Sequence, residues 1–86
     1  MVQIMMNPRK LLKRALASPA GLRFAEMEAL LRAFGFRLQR ISGSHHIYAR
    51  LGTAELMNLQ EINGMAKPYQ VRQFLKLIER LNINLE

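Results

Sequence analysis

Cysteine is absent from this chain of 86 residues, so neither disulfide bonds nor thiolate metal sites are available to it. No apolar run approaches the roughly 20 residues that a helix needs to cross a bilayer. The apolar start, Met1 to Met6, is short and is followed by the polar residues 7–10, so we do not expect a signal peptide. These absences predict a cytoplasmic protein without a membrane-spanning segment.

Acidic residues are few. Six of them stand against thirteen Lys and Arg, which gives a net charge of +7. This charge indicates a negatively charged partner: a nucleic acid, an anionic membrane surface or an acidic protein. Half of the residues are hydrophobic, so a folded domain rather than a disordered tail carries the charge. We expect one domain, with residues 1–22 as an N-terminal helical extension and residues 23–82 as the core.

Three segments have apolar residues at helical spacing, and they predict helices over residues 8–17, 24–34 and 68–81. Asn7 is suited to cap the first helix, and Pro8 suits its first position. Gly35 is placed to end the second helix, because glycine tolerates the left-handed conformation that follows a helix.

From Phe36 the hydrophobic period changes to two, which is typical of strands. A first strand begins there, and two more are predicted over residues 45–51 and 55–60. Turn residues separate the strands at residues 42–44 and 52–53, and a further turn, Asn63-Gly64, follows the third strand. The order predicts an α+β domain in which helices cover one face of a three-stranded antiparallel sheet and the other face is open to a partner.

Both histidines lie in the segment Gly43-Ser44-His45-His46-Ile47-Tyr48. An imidazole exchanges protons near neutral pH, so on a basic protein this segment indicates proton-transfer chemistry on a polyanion. Strand alternation puts the two histidines on opposite faces, so only one of them lines a site. His45 shares its face with Ile47, which suits a core position, and a packed sheet histidine is the alternative interpretation.

A metal site is not expected, because two adjacent histidines cannot easily bind one ion and no cysteine or carboxylate cluster supports them. We expect no cofactor.

Three stretches together resemble the HicA toxin family. They are Phe34-Gly35-Phe36, the histidine segment 43–48, and the start of the last predicted helix, Lys67 to Leu75. The resemblance covers roughly residues 24 to 81. It implies a small basic ribonuclease with a fold like the double-stranded RNA-binding domain, to which the predicted first helix is an addition. It also implies that the histidine after glycine-serine, His45, is catalytic, and that a HicB-type antitoxin binds and masks the site.

The residues around His45 suit a phosphate. Gly43 lets a backbone approach a phosphate closely, and Ser44 can hydrogen-bond a phosphate oxygen or orient the imidazole. Lys67 lies at the start of a helix, where free N–H groups favour anions. An ordinary turn and a solvated lysine are the alternatives.

Further RNA contacts are predicted at Tyr48, whose ring can stack on a base. A row of basic residues spaced four apart on the last helix can follow an RNA backbone: Arg72, Lys76 and Arg80. A half-buried tyrosine and a solvated helix face are the alternatives.

The resulting hypothesis is a metal-independent endoribonuclease of a toxin–antitoxin system that cleaves mRNA, with His45 as general acid or base. Two other functions stay open: a domain of the same fold that binds RNA without cleaving it, and a basic domain that binds an acidic protein.

Overall fold

The computed structural model describes residues 6 to 85. The prediction that the start of the chain is not a signal peptide concerns residues that lie, except for Met6, outside this range. The elements in chain order are α1 (Pro8–Ala17), a 3₁₀ turn (Pro19–Gly21), α2 (Phe24–Ala33), β1 (Phe36–Ser42), β2 (His45–Arg50), β3 (Met57–Ile62), β4 (Met65–Ala66) and α3 (Pro68–Arg80). No helix within the described residues is long and apolar enough to cross a membrane.

Helix α1 has the predicted bounds and the predicted cap. The Asn7 side-chain oxygen accepts hydrogen bonds from the backbone N–H groups of Arg9 and Lys10, at 3.0 and 3.3 Å. Leu11 and Ala15 are buried in the same core as the other elements. The segment predicted as an extension therefore packs as part of the domain.

The α+β class with an antiparallel sheet is confirmed, but the sheet has four strands, in the order β1-β2-β3-β4, and not three. The fourth strand forms because Asn63 and Gly64 both have positive φ, 52° and 78°, as a type I′ turn requires. This two-residue turn brings Met65 opposite Ile62. The strand is only two residues long, too short to show a period in the sequence.

The third strand also differs from its prediction, because it begins at Met57 rather than Glu55 and continues to Ile62. Glu55 lies in the preceding loop, where its carboxylate forms an ion pair of 2.8 Å with Arg80. The second strand ends at Arg50 rather than at the predicted Leu51, which lies in the turn and is 98% exposed.

Helices α2 and α3 pack on one face of the sheet, and α1 packs against both of these helices. The side chains of Tyr48, Met57 and Leu59 point into the core between the sheet and α2 and α3. In the register of β2 and β3, Tyr48 pairs with Met57 and His46 with Leu59. Because successive side chains alternate, His45 and Ile47 lie on the opposite, open face. Ile47 is therefore not a core residue, and Tyr48 has that place.

Candidate active site

The turn before His45 needs its glycine for conformation. Ser42 pairs with His45, so Gly43 and Ser44 form a two-residue hairpin loop. Gly43 has a φ of 61°, which suits the first position of a type II′ turn, where glycine is preferred. A Cβ added at Gly43 would meet no atom within 4 Å. The backbone angle, rather than lack of space, therefore explains this glycine in the described chain.

His45 lies at the first position of β2, on the open face, beside an amide from the neighbouring strand. Its Nδ1 is 3.1 Å from Oδ1 and 2.9 Å from Nδ2 of Asn58. The amide can accept a proton from Nδ1 or donate one to it, according to the tautomer. Asn58 therefore engages Nδ1 in either protonation state, and Nε2 is the ring nitrogen that it does not contact.

His46 points the other way, as alternation requires. Its ring lies edge-on to the buried ring of Phe24, with 4.8 Å between the centroids. Its Nδ1 is 3.3 Å from the carbonyl oxygen of Ser44. His46 thus packs against the start of α2 on the helical side and does not reach the open face with His45.

Gln60 connects the other predicted site residues on the open face. It pairs with His45 across the sheet. Its Nε2 donates to the hydroxyl of Ser44 at 3.2 Å, and its Oε1 accepts from the ammonium of Lys67 at 2.9 Å. The structure therefore brings Ser44, His45 and Lys67 together, although 23 positions of sequence separate the first from the last.

A buried amide anchors this arrangement. Gln70, in the first turn of α3, is 2% exposed, and its Oε1 accepts the backbone N–H of Gln60 at 2.8 Å. A buried polar group of this kind is costly unless it is bonded, so the contact ties β3 to the start of α3. Lys67, the residue before α3, is held next to Gln60 as a consequence.

Sequence reasoning missed Asn58, Gln60 and Gln70. A signal for the first two was present, because they alternate with the apolar Met57 and Leu59 in the third predicted strand. Alternation places them on one face, but it does not say which residues of another strand they face.

The chemistry of these neighbours favours an anion. A hydroxyl, two amides and an ammonium surround the imidazole, and the N-terminal end of α3 is adjacent. Hydrogen-bond donors and a helix N-terminus stabilise negative charge, while an ammonium repels a cation. Within residues 6–85, no three His, Cys, Asp or Glu side chains come together as a metal site would need.

Comparison with protein families gives a match that includes all these residues. Residues 24–79 match the family described as the HicA toxin of bacterial toxin–antitoxin systems. The chain belongs to the HicA toxin family. No curated protein and no solved structure matches the chain. The match begins at the first residue of α2 and leaves α1 outside, so α1 is an addition to the HicA region that shares its core.

One residue predicted to contact RNA through its aromatic ring does not suit that role in this HicA family member. Tyr48 is 0% exposed, and its hydroxyl donates to the carboxylate of Glu28 on α2. Burial, together with this hydrogen bond, raises the pKa of Tyr48 above its usual value. The ring has no face for a base, so the predicted stacking role is wrong. Tyr69, two residues after Lys67, is 57% exposed instead.

The basic row of α3 is exposed but is not part of the His45 cluster. Arg72, Lys76 and Arg80 lie on the helical layer, and the sheet separates this layer from the open face. Arg80 is paired with Glu55, which lowers the pKa of that carboxyl through a side-chain hydrogen bond. Any RNA contact of this row therefore lies at a distance from the imidazole.

Proposed function

We propose that this HicA family member is a metal-independent endoribonuclease that cleaves mRNA, with His45 as general acid or base. The observation that carries the proposal is the position of His45 on the open face. There Asn58 hydrogen-bonds to Nδ1 of the imidazole, and the neighbouring Gln60 hydrogen-bonds to both Ser44 and Lys67. The family membership supports the toxin role.

The reaction needs two proton transfers, and the imidazole suits both. Nε2 of His45 takes the proton of a ribose 2′-hydroxyl, the O2′–P bond forms and the P–O5′ bond breaks. The leaving O5′ then takes a proton from the imidazolium that the first transfer produced, and the products are a 2′,3′-cyclic phosphate and a 5′-hydroxyl. A positioned histidine is effective in such transfers, which contribute about 10²–10⁴ in rate.

The charge of the transition state falls on the non-bridging phosphate oxygens. In this proposal Lys67 and Ser44, both hydrogen-bonded to Gln60, bind these oxygens. Donors held in position before the reaction stabilise developing charge more than donors that must reorient. In this proposal the Gln60 side chain holds the two donors apart at a fixed spacing.

The neighbours of His45 support chemistry without a divalent ion, since amides, a hydroxyl and an ammonium are a poor cation site. We expect purified protein to cleave RNA at the same rate with and without EDTA. Loss of cleavage in EDTA that Mg²⁺ restores would contradict this part of the proposal.

The decisive experiment compares two adjacent histidines. We expect His45→Ala to lower the rate of RNA cleavage about 10²–10⁴-fold and to abolish growth arrest on expression in bacteria. His46→Ala is the matched control, because it removes the same side chain one residue away on the other face of β2. It should retain the chemistry, with some loss of stability from the contact with Phe24.

Three outcomes would change the assignment. If His46→Ala is inactive and His45→Ala is not, the catalytic histidine is misassigned. If both variants cleave normally, histidine chemistry is wrong. If wild-type protein binds RNA and never cleaves it, the domain is an RNA-binding module.

A further inference from the structure

The open face of the sheet carries an arginine, Arg40, that is not part of the His45 cluster. Arg40 pairs with Ile47, and Ser42 pairs with His45, so Arg40 is a diagonal neighbour of His45 on the same face. Diagonal neighbours are about 7–8 Å apart, which a long side chain easily spans. Arg40 is exposed, and within residues 6–85 its side chain forms no hydrogen bond or ion pair.

A β-bulge puts Arg40 there. The register of β1 and β2 shifts between Leu38 and Arg40, with Gln39 as the extra residue. Leu38 pairs with Tyr48 on the helical side, so unbroken alternation would return Arg40 to that side. The bulge instead directs Arg40 to the open face. Bulges next to active sites commonly redirect a side chain in this way.

The open face is free of negative charge where the structure describes it. The outward positions of the three long strands are Arg37, Arg40, Ser42, His45, Ile47, Ala49, Asn58, Gln60 and Ile62. Glu61 lies between Gln60 and Ile62, so its side chain is directed to the helical side, where it pairs with the buried Ala66. Arg37 donates to the carbonyl oxygens of Arg32 and Phe36, so its guanidinium is directed to the end of α2.

Arg40 and Lys67 therefore lie on opposite sides of His45. Arg40 is on β1, His45 on β2, Gln60 on β3, and Lys67 directly follows β4. Three strand spacings, about 14 Å in all, separate the backbone positions of the two residues. A chain that crosses the strands from Lys67 to Arg40 passes over β2 between His45 and Ile47, which share the open face.

We propose that single-stranded RNA crosses the open face of the sheet in this direction, and that Arg40 binds a backbone phosphate next to the cleaved one. The proposal rests on the function proposed above and specifies where its substrate lies. An uncovered sheet face with flanking cations suits a single strand, as in other RNA-binding domains that use a sheet surface. The side chain of Ile47, which pairs with Arg40 and lies on the same strand and face as His45, offers an apolar contact to a base or sugar.

Binding is measured in the His45→Ala background, so that no RNA is cleaved, with a short single-stranded RNA of mixed sequence. Arg40→Glu is compared with Lys13→Glu, which makes the same change of net charge on the exposed side of α1. We expect Arg40→Glu to bind about tenfold more weakly, as for one charged hydrogen bond lost. The slope of log affinity against log salt should become shallower by about 0.7, the value for one phosphate on a single strand. Lys13→Glu should change both quantities little.

Circular dichroism and the thermal midpoint establish that Arg40→Glu is folded, and Arg40→Gln gives a second test without charge reversal. Equal affinities for Arg40→Glu and Lys13→Glu would overturn the proposal. A variant in which Arg72, Lys76 and Arg80 are all changed to Glu gives a further test. If only this variant lost RNA affinity, the proposal would also be overturned, since RNA would then follow α3. Because binding is read without cleavage, these outcomes are separate from those that test the ribonuclease itself.

Discussion

At the scale of single residues, the amide of Asn58 is the contact that most directly affects the imidazole. It is within 3.1 Å of Nδ1 and is held on the neighbouring strand by the sheet register. If Nδ1 donates to Oδ1, Nε2 carries the lone pair and can take a proton. A second residue that orients a base is a recurring arrangement in nucleophilic and acid–base catalysis.

We therefore predict that Asn58→Ala lowers the cleavage rate about tenfold or more while RNA affinity changes little. The imidazole ¹⁵N shifts of neutral His45 should show the proton on Nδ1 in wild type and a mixture of tautomers in the variant. Asn58→Asp, which keeps the acceptor, should restore the Nδ1 proton. An unchanged ¹⁵N spectrum in Asn58→Ala would contradict the positioning role even if the rate falls.

At the scale of elements, α1 is joined to α2 by a bidentate ion pair. Arg14 donates to both carboxylate oxygens of Glu26, at 2.5 and 3.0 Å, and also to the carbonyl of Gly21 at 3.0 Å. Glu26 accepts the backbone N–H of Arg23 at 2.9 Å, which satisfies a free group at the start of α2. The hydrogen bond from Arg14 is the main reason that the pKa of Glu26 is lowered.

Because this pKa is lower in the folded state, the contact stabilises above the unfolded pKa of about 4.3 and is lost as pH falls below it. We predict that Glu26→Gln lowers the free energy of unfolding by less than about 1 kcal/mol at pH 7. The difference from wild type should shrink by pH 3. Glu79→Gln, an exposed change on α3, is the control. Urea unfolding at both pH values checks this, and an equal deficit at pH 3 would contradict it.

At the scale of the whole molecule, the charge of +7 and the open face suit a masking partner. A ribonuclease would damage its own cell, so we propose that a HicB-like antitoxin inhibits it. Acidic residues on that protein would speed association with so basic a surface. Covering residues 43–48 and Arg40 would exclude RNA sterically.

We predict that the toxin copurifies with such an antitoxin, and that the complex does not cleave RNA. Association should slow as ionic strength rises, because surface charges are then screened. A cleavage assay on the isolated complex tests the masking. A stable complex that cleaves at the rate of the free protein would refute it.

Part of this protein was predictable from its sequence because the signals are local. The bounds of α1 depend on its cap and its proline, and the turn at Asn63-Gly64 depends on two residues that tolerate positive φ. The basic charge and the glycine-serine-histidine motif are likewise readable directly. These features led to the correct class and to the correct family.

Tertiary structure alone decided how the site is assembled. Alternation shows that His45 and His46 point to opposite faces, but only the helices packed against Tyr48 show which face is the core. Likewise, only strand pairing places Asn58 beside His45, and only the bulge at Gln39 turns Arg40 to the open face. Register depends on hydrogen bonds between residues distant in the chain, and a one-residue shift reverses every side chain, so no local pattern determines it.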